Sequence, residues 1–340
     1  MAGYSRRSLL TAGVASGLAL ATAGAARAGD RPRAKAFGVG DVAYVDVAVA
    51  TLWVAAETAR EVDAPSLANP VDLRAWTAAM SLAERRWLIG DLETAALYGK
   101  DVLVTEESGD WVKIVVPGQP TPRDERGYPG WVPRIQLTDT APDGADGPFA
   151  QVIAPTSWLH DDAGLGKQFM ELSYGNRLPV ADSTETAVRV ATSSHGEKWL
   201  AASDVTVYDS ADSIPAPTGE DLVAAAKLFL GLPYLWAGVS GFGFDCSGLT
   251  HSVYNAHGVV IPRDAGPQLD AGEPVSEQDL QAGDLLFYGV DRIHHVGMYV
   301  GDGDMIDART NTDTTEQLIE IVPVAEHPYA DEFAGAVRYL

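Results

Sequence analysis

The sequence predicts a multi-domain protein, two small β-barrels followed by an α+β domain. Three observations carry this. A chain of 340 residues is too long for one small domain and suggests two or three. Short strand-like segments separated by turn residues occur in two successive blocks that echo each other. Beyond residue 218 the pattern changes to helices first and strands after, the mark of an α+β unit. Hydrophobic residues make up 46% of the chain, enough for a core in every domain, and nothing has the composition of a disordered protein.

Residues 1–28 have the pattern of an export signal rather than of a fold. Arg6 and Arg7 form a basic start, "LLTAGVASGLALATAGAA" is an uncharged Ala/Gly-rich run, and Ala26-Arg27-Ala28 fits a small-x-small cleavage site. The paired arginines point to the Tat route, and so to a secreted, extracellular or wall-associated protein. No later stretch approaches about 20 apolar residues, so no membrane span is expected in the mature protein.

Residues 37–142 form the first predicted domain. "VAYVDVAVATLWV" alternates like a strand, and "NPVDLRAWTAAM" and "SLAERRWLIGDL" have helical spacing, with Ser81 and Glu84 placed as a capping box. Strands follow in "ALYGKDVLVTEESGDWVKIVV" and "GYPGWVPRIQL". "APDGADGP", 141–148, is a linker. In the second domain, 150–213, "LSYGNRLPVADSTETAVRVAT" aligns with the first block, Tyr174-Gly175 against Tyr98-Gly99, and Trp199 later answers Trp131. A second linker, "DSIPAPTGE", spans 212–220.

The third domain, 218–340, opens with an amphipathic helix in "DLVAAAKLFLGL". A glycine-rich loop leads to a second helix, "CSGLTHSVYNAHG", with Gly258 as its stop. "GDLLFYGV", "HHVGMYVGDG" and "MIDAR" are strands of an antiparallel sheet, and "GDGD", 301–304, is a tight turn between two of them.

The formal charge is −23, and −26 once the three arginines of residues 1–28 are set aside. That excludes a nucleic-acid binder, which needs a basic footprint, and disfavours bulk attraction to anionic polymer or lipid. It leaves room for a small substrate in a local pocket. "GVGDVAY" lacks the lysine and spacing of a phosphate loop, and His160, His195, His251, His257 and His327 are scattered without metal-ligand spacing. No metal or other cofactor is therefore expected.

The one chemistry-bearing cluster surrounds the single cysteine, Cys246. It begins a helix, where unpaired N–H groups and the helix dipole favour a thiolate nucleophile. His294 and His295 open a later strand, and because side chains alternate across a strand only one of them can face the thiol. Asp307, on the next strand, is a candidate partner for the other imidazole nitrogen. The order Cys, His, polar residue is that of a papain-like arrangement.

These residues resemble the NlpC family of papain-like cell-wall cysteine peptidases. The matching text is "PYLWAG", "GFDCSGLT", "IPRDAGPQ", "AGDLLFY" and "HVGMYVGDGDMIDA", spread over about 120 residues. The resemblance makes Cys246 the nucleophile, His295 the base and Asp307 the third member, a place where most relatives carry His. Tyr234 matches the tyrosine that precedes the cysteine, and Ala237-Gly238 replaces a more frequent Gly-Gly. Upstream, "LETAALYG" and "GYPGWVP" resemble the first of two SH3-like barrels in the γ-D-glutamyl-L-diamino-acid endopeptidases. That resemblance implies that Glu93 and Tyr128 reach over the active site. With Asp245 and Ser247 they would receive the free amine of L-Ala-γ-D-Glu stem peptides of peptidoglycan. Ala265 stands where such enzymes often have Ser. The alternatives are a general D,L-endopeptidase acting on intact wall and a wall-binding SH3-like module with vestigial catalysis. Which diamino acid is accepted, and the oligomeric state, stay open.

Overall fold

In the computed structural model, which describes residues 37–309 and 318–340, the two N-terminal blocks are built on one plan. The export signal expected over 1–28 lies outside the described residues. The first block folds as Val42–Val45, Val49–Trp53, Leu92–Leu97, Asp101–Ser108, Trp111–Val116, Tyr128–Pro133 and Leu137–Thr138. The second folds as Phe149–Val152, Thr156–His160, Gln168–Ser173, Arg177–Ser183, Ala187–Val190, Lys198–Ala201 and Val205–Tyr208. In both, the neighbours run third, second, sixth, fifth, fourth, first, seventh. The echo in the sequence is therefore a structural repeat. Gly99 and Gly175 occupy the same turn, with φ of 76° and 80°, where a residue with a Cβ would be strained. Their N–H groups donate to Val45 and Val152, the equivalent carbonyls of the two blocks.

The stretch expected as one alternating strand breaks into Val42–Val45 and Val49–Trp53, and the second piece is buried on both faces. The alternation survives as a division between two cores. Ala50 and Leu52 enter the core of the first barrel, while Val49 and Trp53 enter a second core. That second core joins Leu73, Trp76 and Met80 of the helical insertion to Leu235, Ala237, Val239 and Phe242 of the third domain. Each such large side chain removed from water contributes about 1.5–3 kcal/mol. The insertion is set locally. Ser81 and Glu84 form the expected capping box, and the Trp76 indole N–H donates to buried Asp63 at 2.9 Å.

The third domain is a six-stranded antiparallel sheet. Its order is Glu273–Val275, Phe333–Arg338, Leu285–Tyr288, His295–Gly301, Asp304–Ala308, Ile319–Pro323. Helices Gly219–Lys227 and Cys246–Ala256 pack against it. The first helix starts on the cap Thr218 and stops at Lys227, five residues short of the expected stretch. Gly231, at φ 83°, instead donates its N–H to Ile319 in the sheet. Asp302 and Gly303, both with positive φ, make the tight hairpin turn that "GDGD" predicts.

The second barrel grips the far end of the cysteine helix. Gln151 Nε2 donates to Ala256 O at 2.8 Å, and Arg177 Nη2 donates to Asn255 O at 2.9 Å. A cation beside these last carbonyls complements the negative end of the helix dipole.

Candidate active site

Cys246 is the first residue of its helix, and Asp245 is the N-cap, its Oδ1 accepting the Gly248 N–H at 2.6 Å. The helix start is pressed against the preceding loop. A Cβ on Gly248 would lie 2.0 Å from the Gly238 carbonyl, so only glycine allows this approach. Ala237 holds a φ of 63°, a conformation that glycine adopts more easily, and its methyl is buried in the core shared with the first barrel.

The thiol is half-buried. Burial pushes it up to about 12, with the Asp245 carboxylate adding to the rise, and the N–H groups of Val296 and Ser247 pull only partly back. The expectation that the helix start alone favours a thiolate is corrected here. Desolvation and the neighbouring carboxylate outweigh the helix end. A thiolate at this place needs a proton acceptor beside it.

The strand beginning at His295 supplies one. His294 points outward, 35% exposed and paired with Glu332, whereas the His295 side chain is only 4% exposed. His295 Nε2 lies 2.8 Å from Asp307 Oδ1, which leaves Nδ1 free for the thiol proton. The Val296 N–H, one residue on, reaches the Cys246 sulfur, so the thiol lies against the strand that carries His295.

Asp307 is fully buried. Burial on its own would raise its pKa, but hydrogen bonds from His295 and His327 outweigh it and hold the carboxyl well below the usual range. His327 Nε2 is 3.1 Å from Asp307 Oδ2, and Arg309 Nε is 2.6 Å from the same oxygen without aiming its N–H at it. His327 stood among the scattered histidines of the sequence. It lies 20 residues beyond Asp307, with no spacing signature, and only the sheet brings it in. His295, Asp307 and His327 offer ligand atoms within 4.8 Å of one another and could hold a metal ion. The Arg309 guanidinium beside Oδ2 disfavours a second cation there.

Tyr234 is buried against the thiol. Burial first, and the charge of Cys246 second, raise its phenol well above its ordinary value, so it stays a hydrogen-bond donor.

The first barrel forms the neighbouring wall, joined to the site by Arg263 of the third domain, 1% exposed. Its Nη1 donates to Asp245 Oδ1 at 3.1 Å and Ser247 Oγ at 3.0 Å, and Nη2 donates to Asp245 Oδ2 at 2.8 Å. Its Nε donates to Thr94 of the barrel at 3.0 Å, and its backbone N–H to Pro120 O. Tyr128 donates to Asp264 Oδ2 at 3.0 Å. Glu93 is paired with Arg123 through both carboxylate oxygens, and Arg123 Nη1 is 3.3 Å from the Tyr128 hydroxyl.

Glu93, Tyr128, Asp245 and Ser247 thus lie in one chain of contacts, but neither carboxylate stands open as expected. Asp245 faces the buried Arg263 and caps the helix, and Glu93 faces Arg123. Burial raises the pKa of Asp264, a further carboxylate at this wall, against the pull of Arg263 and Tyr128. The sequence reading passed over Arg123, Arg263 and Asp264. The last two stand inside "IPRDAGPQ", and a buried Arg next to Asp was the available signal. Ala265 follows as the first residue of a short helix and is buried.

A crevice of about 860 Å³ opens where both barrels meet the end of the cysteine helix, lined by Tyr98, Tyr174, Arg177 and Asn255. It does not reach Cys246. Its arginine already holds the helix end, so the cluster around the thiol is the better candidate for chemistry.

Comparison with known proteins supports the same domain order. The NlpC/P60 family profile matches residues 231–338, and the YKFC SH3b2 domain profile matches 152–208. A γ-D-glutamyl-L-lysine dipeptidyl-peptidase of Bacillus cereus is 46% identical over 306 residues, 88% of this chain and 91% of that protein. One of Bacillus subtilis is 39% identical over 297 residues, 86% of this chain and 96% of that protein. The crystal structure of an NlpC/P60 family protein from Bacillus cereus superposes with a TM-score of 0.83 at 46% identity, covering 88% of this chain and all of the other.

Proposed function

Because the chain belongs to the NlpC/P60 family of cysteine peptidases, we propose that it cuts peptidoglycan stem peptides after γ-D-Glu, releasing L-Ala-γ-D-Glu from an L-diamino acid. The supporting observation is the joint wall. Arg263 ties the N-cap of Cys246 to Thr94 of the first barrel, and Tyr128 of the same barrel donates to neighbouring Asp264, which supports a substrate-binding role for Glu93 and Tyr128. A barrel closing one end of the substrate path in this way would leave room for only two residues before the cut.

Cys246 Sγ attacks the amide carbonyl while His295 Nδ1 accepts the thiol proton. The tetrahedral oxyanion is met by the Cys246 backbone N–H and the Tyr234 hydroxyl. His295 then protonates the departing amine, the C–N bond breaks and a thioester remains. Water, deprotonated by His295, releases the dipeptide and restores the thiol. Asp307 keeps His295 Nε2 protonated, so that Nδ1 is the basic nitrogen. The substrate ammonium competes with Arg123 for Glu93. The paired arginines and apolar run of residues 1–28 support export before this work is done, by the Tat route, to the outside of the cell or its wall.

The test compares L-Ala-γ-D-Glu-L-Lys and its meso-diaminopimelate counterpart with their N-acetylated forms. Free peptides should be cut at least tenfold faster, because a charge-assisted hydrogen bond contributes about 1.5–3 kcal/mol. Equal rates for free and acetylated peptides would mean an open groove and an enzyme of intact wall. Glu93→Gln should raise KM about tenfold with kcat nearly unchanged. An unchanged KM would remove Glu93 from substrate binding.

A further inference from the structure

We propose that His327 is a positioning residue of the peptidase reaction, a neutral donor that locks Asp307 and through it the tautomer of His295. The inference rests on the assignment of Cys246 and His295 above.

The argument starts from the protons. Tyr329 N–H donates to His327 Nδ1 at 3.2 Å. That nitrogen therefore presents a lone pair, and the ring proton sits on Nε2. Nε2 is 3.1 Å from Asp307 Oδ2, so His327 donates to the carboxylate while uncharged. His295 donates its own Nε2 proton to the other oxygen at 2.8 Å. One carboxylate thus accepts from two imidazoles, one on each oxygen, and its plane is fixed by both.

The surroundings hold His327 in that role. Its side chain is fully buried. Its ring stacks on His295 with centroids 5.3 Å apart and 12° between planes, and Tyr288 and Tyr329 pack at 4.8 Å and 5.2 Å. Among the described residues, Asp307 faces the ring, and Arg309 lies on the same carboxylate. The short turn Val324–Glu326, immediately before His327, delivers it from the end of the edge strand Ile319–Pro323. Without His327, Oδ2 would keep, among the described residues, Arg309, whose Nε–H is not aimed at it. The carboxylate could then rotate toward the guanidinium and loosen its hold on His295. Loss of that hold lets the His295 proton move to Nδ1, and a protonated Nδ1 cannot accept the thiol proton.

Two variants separate positioning from packing. His327→Phe keeps a ring against His295 and removes the donor. His327→Gln loses the ring and keeps an N–H that can reach Asp307. The readouts are kcat and KM on the free tripeptide, the pH dependence of Cys246 alkylation by iodoacetamide, and the melting temperature. His327→Phe should lose at least about tenfold in kcat with KM within about twofold, and its thiol should alkylate more slowly near neutral pH. His327→Gln should recover most of both. Full kcat and normal alkylation in His327→Phe would overturn the proposal, as would equal losses in both variants that follow only their melting temperatures. Should His327→Phe not fold, nitrogen-15 NMR of the unmodified protein decides. A neutral His327 with its proton on Nε2 is required, and a proton on Nδ1 or an imidazolium at neutral pH refutes it. Alkylation and NMR need no substrate, so an error in the proposed peptide would leave both results intact and show itself only in turnover.

Discussion

Asp307→Asn should lower kcat by about 10²- to 10⁴-fold while the protein stays folded at neutral pH. An amide is nearly the same size, so packing is kept and the change is one of protons. Both imidazoles present Nε2–H groups to residue 307. A carboxylate accepts from both, but an amide has one acceptor oxygen and one NH₂. Whichever imidazole meets the NH₂ must move its proton to Nδ1. When that imidazole is His295, the nitrogen needed for the Cys246 proton is already occupied. Burial holds the thiol near 12, so little thiolate forms without that acceptor. A kcat within threefold of the unmodified enzyme would sink this account.

The same variant has a pH signature. The folded pKa of Asp307 lies below its ordinary value of 3.8, so the ionised group stabilises the fold above that value. The contribution is lost as pH falls through the depressed folded pKa. The melting-temperature gap between the parent and Asp307→Asn should be flat above about pH 5 and shrink as the solution is acidified. A gap that widened in acid would contradict the sign.

Arg263→Met should be the most destabilising single change at the site. It strands Asp245, 6% exposed, without its countercharge and also removes a donor from Ser247 and Thr94. Breaking a buried pair on one side costs about 3–5 kcal/mol. At about 2–4 °C per kcal/mol for a chain of roughly this size, melting should drop by roughly 6–20 °C. Arg263→Lys keeps the charge without the two-pronged geometry and should fall between. Activity should fall faster than stability, because Asp245 also caps the helix that begins with Cys246. Calorimetry of the three proteins checks this, and a loss of less than 2 °C in Arg263→Met would show that Asp245 finds another partner.

Much of this was legible in the chain because it is local. The repeat announces itself through Tyr98-Gly99 and Tyr174-Gly175, where one turn demands positive φ twice. The cap at Ser81 and the hairpin at Asp302-Gly303 are spelled out over two to four residues. The choice between His294 and His295 was not local. Alternation says that they face opposite ways, but the sheet and its helices decide which way is inward. Likewise His327 and Arg263 owe their place to contacts 20 and 18 residues away, to Asp307 and Asp245. The balance at the thiol is not local either, since Asp245 and desolvation oppose the helix start through space.

The core shared between the first barrel and the loop before Cys246 bears on how such a protein can be inherited. Leu235, Ala237, Val239 and Phe242 have their apolar partners in the first barrel, and Tyr174 of the second barrel lies in the core of the third domain. A gene fusion or deletion at residue 218 would leave both surfaces greasy and the cysteine helix without its grip at Ala256. In this chain the peptidase half is therefore not a cassette that could be cut out without exposing apolar surface. A substitution on one side of the seam changes the packing of the other.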